Sequence, residues 1–233
     1  ILAFVPTLHV MAKDGTGVVS LGIEGESPAW SPNGAQLAFA RNGEIFAVSA
    51  NGANEARLSD GNSSSLGYDA APVWSRDGRR IVFERADWNS GGEYDLYAVE
   101  MATAAVTPFL VRPGHDRSPA WSPDGSTLAV SHDATGSGDG ELWTVSADAS
   151  TLTPLGVVGD HPTFSPDGRI AYEDGPPNAD GIAVVDLATL STLAFPTPAG
   201  ALQLQPDWLA PATNVDTDSD GVPDAVDNCP AVA

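Results

Sequence analysis

The sequence is poor in basic residues and almost free of cysteine. Lysine and arginine total 10 against 31 for aspartate and glutamate, which gives a formal net charge of -21 at pH 7. A surface of this sign repels nucleic acid and anionic lipid, and it suits cations or basic partners better. A lone cysteine, Cys229, excludes a disulfide framework. We therefore predict no nucleic-acid partner.

Long apolar runs and the common enzyme motifs are missing as well. No apolar stretch is long enough to cross a bilayer, so we predict no membrane span and expect a monomer. Gly-x-Ser-x-Gly, His-Glu-x-x-His and a phosphate loop do not occur. The chain opens on Ile1 without a signal peptide, so we expect a processed chain or a piece of a longer one.

One signature recurs along the chain and organises it. It reads Pro-x-aromatic-Ser-x-Asp/Asn-Gly, and a fifth copy, Gln205-Pro-Asp-Trp208, lacks its second half. The aromatic residues are spaced 44, 47, 43 and 44 residues apart. A period in the forties predicts an all-β fold, a β-propeller with four strands in each blade. The aromatic residues, which we expect to be core anchors between blades, are Trp30, Trp74, Trp121, Phe164 and Trp208.

The turn chemistry of the signature predicts where strands begin and end. Ser-Pro-Asp-Gly suits a tight turn after the first strand, because Pro presets φ and Gly accepts a positive φ. The proline two residues before each aromatic residue has no N–H, which predicts that it starts the innermost strand.

The two ends of the chain are complementary. Residues 1 to 25 lack a first strand, and the last signature is a first strand with nothing after it. Pairing of that C-terminal strand beside Leu2-Ala-Phe4 would close the ring without an open edge. This predicts five blades within residues 1–210, or six if a blade is missing upstream.

Residues 211–233 form a linker and an acidic tail. Carboxylates fall at loop positions 1, 3, 5, 9 and 12, with Gly221 at position 6, which is the spacing of a calcium loop. The alternative is a solvated acidic tail. The predicted calcium ligands are Asp216, Asp218, Asp220, the carbonyl of Val222, Asp224 and Asp227.

Candidates for partner binding lie on one side of the predicted ring. The turns from first to second strand share one side, the signature-turn face. The longer second-to-third-strand loops and the links between blades share the other, the loop face. Long loops on a rigid ring are common binding elements, and these carry many carboxylates, Glu84 among them. The candidates are Asp69, Trp88, His115, Asp116, Asp160 and His161.

The two histidines leave alternatives open. His115 and His161 could hold a metal with nearby aspartates at the channel mouth, or they could cap turns and face solvent. Trp88 lies in the longest loop, outside the repeat pattern, where an exposed tryptophan would be a plausible partner contact.

The signatures resemble the propeller repeats of TolB-type proteins, over roughly residues 1 to 210. The resemblance implies the fold and leaves the function broad, because such blades occur in periplasmic binding proteins, peptidase gating domains and some lyases. Residues 216–230, which end in Asp-Asn-Cys-Pro, resemble a thrombospondin type 3 repeat. That resemblance implies calcium binding outside cells and a disulfide partner for Cys229 beyond the chain given.

Together these features predict an extracytoplasmic binding or scaffold propeller. It would present an acidic loop face to a protein or carbohydrate partner, and its tail would bind calcium. The alternative is a metal-dependent polysaccharide lyase or glycoside hydrolase that uses the acidic channel mouth. A gating propeller from a peptidase is a third possibility, against which the calcium tail argues.

Overall fold

The computed structural model describes residues 6–12, 15–61, 67–88, 91–138, 140–174, 181–196 and 206. The described chain is built from short antiparallel strands, as the apolar and β-branched runs predict. The strands are β1 Thr7–Val10, β2 Val19–Glu24, β3 Glu26–Trp30, β4 Gln36–Arg41, β5 Glu44–Ser49, β6 Ala56–Arg57, β7 Gly67–Trp74, β8 Arg80–Asp87, β9 Glu93–Glu100, β10 Ala105–Leu110, β11 His115–Trp121, β12 Thr127–Asp133, β13 Glu141–Ser146, β14 Leu152–Phe164, β15 Ile170–Asp174, β16 Gly181–Val185 and β17 Thr192–Pro196.

These strands form four-stranded blades in chain order. Blade 1 is β3–β6 and blade 2 is β7–β10, each a separate sheet. Strands β11–β17 form one seven-stranded sheet, because the two halves of β14 pair with different neighbours. The first half closes blade 3 against β13, and the second half opens blade 4 against β15. Strands β1 and β2 pair as part of a further blade.

The two ends of the chain bear on whether the ring closes. The predicted pairing of Leu2-Ala-Phe4 with the C-terminal strand lies outside the described residues, so five and six blades both remain predictions. Pro206 of the fifth signature, however, lines the same central channel as Pro28, Pro72 and Pro119. No helix in the described residues has the length and apolar character needed to cross a bilayer.

The signature turns form as their residues predict. In blade 3 the Ser122 hydroxyl donates to Asp124 Oδ1 at 2.6 Å, and the Thr127 N–H donates back to Ser122 Oγ at 3.1 Å. Gly125 takes φ 71° and donates its N–H to the Ser122 carbonyl at 3.0 Å. Blades 1, 2 and 4 repeat the serine–carboxyl or serine–amide bond.

The prediction that each proline starts its inner strand is wrong. The inner strands begin earlier, and the proline sits inside them at a β-bulge, where the register shifts by one residue against the second strand. A bulge leaves one residue unpaired, so the missing N–H costs no ladder bond. The residue before the proline takes a positive φ in every described blade: Ser27 50°, Ala71 46°, Ser118 53° and His161 48°.

The core lies between neighbouring blades. Trp74 packs on Ala38, Ala40 and Ile45 of the preceding blade, and Trp121 and Phe164 are buried in the same way. Trp30 differs, because 49% of it is exposed. The strand predicted beside it, Leu2-Ala-Phe4, lies outside the described residues, so the role of Trp30 as a buried anchor stays a prediction. Strand β4 covers Trp74, whereas the described part of the N-terminal pair offers Trp30 no such strand.

Candidate functional site

A central channel of about 880 Å³ runs between the inner strands of the blades. The bulges face it, so each described blade contributes a proline and the strained residue before it. One carboxylate, Glu84, the guanidinium of Arg76 and the imidazole of His161 add charged or polar groups to the lining. The channel-lining residues used below are Ser118, Glu84, His161 and the prolines Pro28, Pro72, Pro119, Pro162 and Pro206.

Blade 2 encloses the predicted partner residue Asp69. Its side chain is fully buried, and it accepts bonds from Arg85 Nε at 2.6 Å and Arg85 Nη2 at 2.8 Å. The Ser59 hydroxyl donates to Asp69 Oδ2, the oxygen that also accepts from Arg85 Nη2. Arg85 also stacks on the ring of Tyr97, 4.7 Å from its centroid. Asp69 therefore fixes the end of the inner strand from within.

Blade 3 encloses Asp116 at the equivalent position. Asp116 is fully buried and accepts bonds from Arg112 Nε at 2.9 Å and Arg112 Nη2 at 2.8 Å. His132 Nδ1 lies 3.0 Å from the same carboxylate. Arg112 stacks on Trp143 at 4.5 Å. A partner at this face meets the groups above Asp69 and Asp116 rather than these carboxylates themselves.

The two predicted histidines have different surroundings. The Tyr94 N–H donates to His115 Nδ1 at 3.2 Å, which assigns the ring hydrogen of neutral His115 to Nε2. His161 Nδ1 lies 3.0 Å from Glu173 Oε2, so in the neutral ring Nδ1 carries the hydrogen and Nε2 is an acceptor. In the described chain, no group of three or more His, Cys, Asp or Glu residues could hold a metal ion.

A chain of hydrogen bonds joins three blades beside the channel. Glu84 of blade 2 accepts the Ser118 N–H of blade 3 at 2.6 Å. The Ser118 hydroxyl donates to Asp160 Oδ1 of blade 4 at 2.9 Å, and the His161 N–H donates to the same oxygen at 2.7 Å. Burial raises the pKa of Glu84 above its ordinary value, although the Ser118 bond and the charge of Arg117 act in the opposite direction.

Sequence reasoning placed Asp160 and His161 at the channel and missed the role of Glu84 and Ser118. The available signal was the residue type at one strand position. In the apolar second strands, blade 1 has Ala40 and blade 3 has Ser131 where blade 2 has Glu84. A carboxylate in a buried strand needs a partner, which indicates a polar contact with the next blade.

Trp88 lies apart from the channel at the end of β8. It is 60% exposed, on the loop face beside Gly92. The predicted calcium ligands Asp216, Asp218, Asp220, Val222, Asp224 and Asp227 lie outside the described residues, as do Trp208 and Cys229.

Known proteins share these repeats. A family model for the TolB beta propeller domain matches residues 7–211. The Tol-Pal system protein TolB of Francisella tularensis subsp. mediasiatica (strain FSC147) is 43% identical over 61 residues, which cover 26% of this chain and 13% of that protein. This chain therefore matches only a small part of that curated relative's length.

Solved structures show the same fold at low sequence identity. TolB from Acinetobacter baumannii superposes with a TM-score of 0.68 and 18% identity, covering 83% of this chain and 49% of that one. A chain of a nidogen/laminin complex gives a TM-score of 0.64 and 14% identity, covering 82% and 72%. With the family match over most of its length, the chain belongs to the TolB beta-propeller domain family.

Proposed function

We propose that the chain is an extracytoplasmic binding or scaffold module, which presents its loop face and channel mouth to a basic protein partner. The observation that carries this proposal is the rigid loop face beside the channel, which buried ion pairs and a bond between blades hold in place. The extracytoplasmic location rests on the resemblance to TolB-type proteins. A carbohydrate partner remains a prediction from the sequence.

Rigidity is the first support. Asp69 and Asp116 each tie an inner strand to an arginine that also stacks on an aromatic ring. Loops anchored in this way lose little conformational entropy when a partner binds. The ring therefore acts by holding a fixed surface.

Charge is the second support. Arg85 and Arg112 are each neutralised by a buried aspartate, so they add little positive charge to the loop face. The whole chain carries 21 more acidic than basic residues. A field of this sign speeds the approach of basic partners and disfavours acidic ones. Exposed Trp88 is a suitable anchor for such a partner, because interface hot spots are rich in tryptophan.

Site-specific photo-cross-linking tests the proposal. A photoreactive amino acid would replace Trp88 on the loop face, and Leu190 on the signature-turn face would serve as the matched exposed apolar control. We expect a cross-linked protein from the organism's envelope at position 88 that is absent at position 190 and weakens as salt rises. Equal labelling at both positions, or none at position 88, would overturn the proposal.

We also propose that the tail binds calcium, on the spacing of its carboxylates alone. Calorimetric titration of calcium would compare the full chain with a chain that ends at Pro211. Binding only by the full chain, abolished by Asp218→Ala with Asp220→Ala, is the expected result. Tight binding by the shortened chain would place the metal in the propeller. That result would favour the alternative function, a metal-dependent lyase or hydrolase.

A further inference from the structure

We infer that the channel holds a site for one guanidinium group of the partner, an arginine side chain, formed by Glu84, Asp160 and His161. This inference rests on the proposed function and deepens it, because it names the chemical group that the channel recognises. It is carried by the balance of hydrogen-bond donors and acceptors at the junction of blades 2, 3 and 4.

The three residues offer three acceptor atoms that the described chain leaves without a partner. Glu84 Oε1 accepts the Ser118 N–H, and among the described residues its Oε2 has no partner. Asp160 Oδ1 accepts two bonds, whereas Asp160 Oδ2 accepts none from the described chain. His161 gives its Nδ1 hydrogen to Glu173, which leaves Nε2 as an acceptor without a partner in the described part. The Ser118 hydroxyl hydrogen is already used by Asp160.

A ligand that complements these acceptors must donate several hydrogen bonds. Guanidinium has five N–H donors in a rigid plane, and ammonium has three at one point. The acceptors do not converge closely enough for a metal, since the described chain has no group of three or more metal-ligating residues. Spread acceptors fit the spread donors of guanidinium better than a point charge.

The position of Glu84 adds an energetic reason. Only 9% of Glu84 is exposed, yet it lines the channel together with Ser118 and His161. A buried carboxylate gains more from an opposite charge than an exposed one does, because water screens the pair less. A cation placed there would therefore recover part of the cost of burying Glu84.

The chain's own nearby cation is held elsewhere. The charge of Arg117 acts on Glu84, but no ion pair joins the two in the described structure. Arg117 instead lies over the ring of Tyr94 at 4.2 Å, with Nη2 3.4 Å from His115 Nδ1. Tyr94 and His115 thus hold one end of this guanidinium, while its buried Nε has no partner in the described chain.

The test uses three small probes on the intact chain: the N-acetyl methylamides of arginine, lysine and norleucine. Chemical shifts would be followed by NMR during titration. We expect saturable binding of the arginine probe, at least tenfold weaker binding of the lysine probe, and weaker still binding of norleucine. Glu84→Gln should weaken the arginine probe at least tenfold, because it keeps the acceptor for Ser118 and removes the charge.

Controls separate a site from a general charge effect. Glu100→Gln removes the same charge at the signature-turn end of β9 and should leave probe binding unchanged. Calorimetry of the arginine probe in two buffers of different ionisation enthalpy should show proton release by the wild type, since a cation favours ionised Glu84. Glu84→Gln should not release that proton.

The outcomes distinguish this inference from the proposed function. Unchanged probe binding by Glu84→Gln, or equal binding of all three probes, would overturn the guanidinium site. A cross-linked partner at position 88 would still support the binding module in that case. Equal affinity for lysine and arginine would overturn the choice of guanidinium.

Discussion

Blades 2 and 3 differ from blades 1 and 4 in the residue that fills one buried position of the repeat. Five residues before the aromatic anchor, the inner strands of blades 2 and 3 carry Asp69 and Asp116, both fully buried and ion-paired. Blade 1 has Gly25 there, packed against the ring of Phe39, and blade 4 has Gly159, packed against Tyr172. One position of the repeat thus accepts either a buried charge pair or a glycine under a ring, and only the first also anchors an arginine at the loop face.

The largest effect is expected from breaking a buried pair in blade 2. Asp69→Ala leaves Arg85, whose side chain is 6% exposed, with only the more distant Asp60 Oδ1 at 3.9 Å as a carboxylate partner. Loss of one partner of a buried pair costs about 3–5 kcal/mol, which urea unfolding measures. The double variant Asp69→Ala with Arg85→Met should recover much of that loss. A single variant as stable as the wild type would show that the pair does not hold blade 2.

A smaller loss is expected from crowding the glycine of blade 4. A Cβ at position 159 would lie 2.5 Å from the Glu173 carbonyl oxygen and also against the Tyr172 ring. Because the carbonyl belongs to the paired strand, Gly159→Ala should cost about 1–3 kcal/mol in urea unfolding. Gly181→Ala, in the same blade, is the control, since its nearest neighbour would lie at 3.6 Å. Equal losses in the two variants would contradict the packing argument.

The junction of blades 2, 3 and 4 should respond to pH. The raised pKa of Glu84 means that the folded chain keeps this proton to higher pH than the unfolded chain does. Its contribution is fully present below the unfolded pKa and is lost as pH rises through the folded pKa. We therefore expect Glu84→Gln to gain stability relative to the wild type as pH rises through that window.

Asp133 provides the control of opposite sign. Partial burial raises its pKa, but hydrogen bonds from the Gly138, Thr135 and Gly136 N–H groups prevail and lower it to about 2. Its contribution is present above the unfolded pKa and is lost as pH falls towards about 2. Thermal unfolding of Glu84→Gln and Asp133→Asn across pH should thus give differences of opposite slope. Parallel curves would count against the role given to Glu84.

The smallest effect is expected from the more exposed pair of blade 1. Arg41 Nη2 lies 2.6 Å from Glu55 Oε1, with side chains 22% and 33% exposed. Glu55→Gln should cost about 0.2–1 kcal/mol, and salt should reduce the difference. A loss as large as that of Asp69→Ala would remove the distinction between the blades.

The sequence predicts the repeat and its turns well, because those depend on local chemistry. Ser122, Asp124 and Gly125 make the predicted turn within one signature. The bulge was not predictable in the same way, since Ser27 and Ala71 are not residue types that favour a positive φ. The fold imposes that conformation where the inner strands meet.

The sequence predicts the position of some candidate-site residues but not their contacts. Asp69 and His161 could be placed near the channel from their distance to the aromatic anchors. Their partners could not, since Arg85 follows Asp69 by 16 residues and Ser118 precedes Asp160 by 42. Contacts between strands and blades depend on register and twist, which a single sequence does not encode in its spacing.

The unbroken strand β14 couples the unfolding of blade 3 to that of blade 4. Its thirteen residues serve blades 3 and 4 in turn, so neither blade can lose its ladder without disturbing the other. Blades 1 and 2 are instead two separate sheets that share no strand. Amide hydrogen exchange should therefore report blades 3 and 4 as one cooperative unfolding unit, and blade 1 as another that opens on its own.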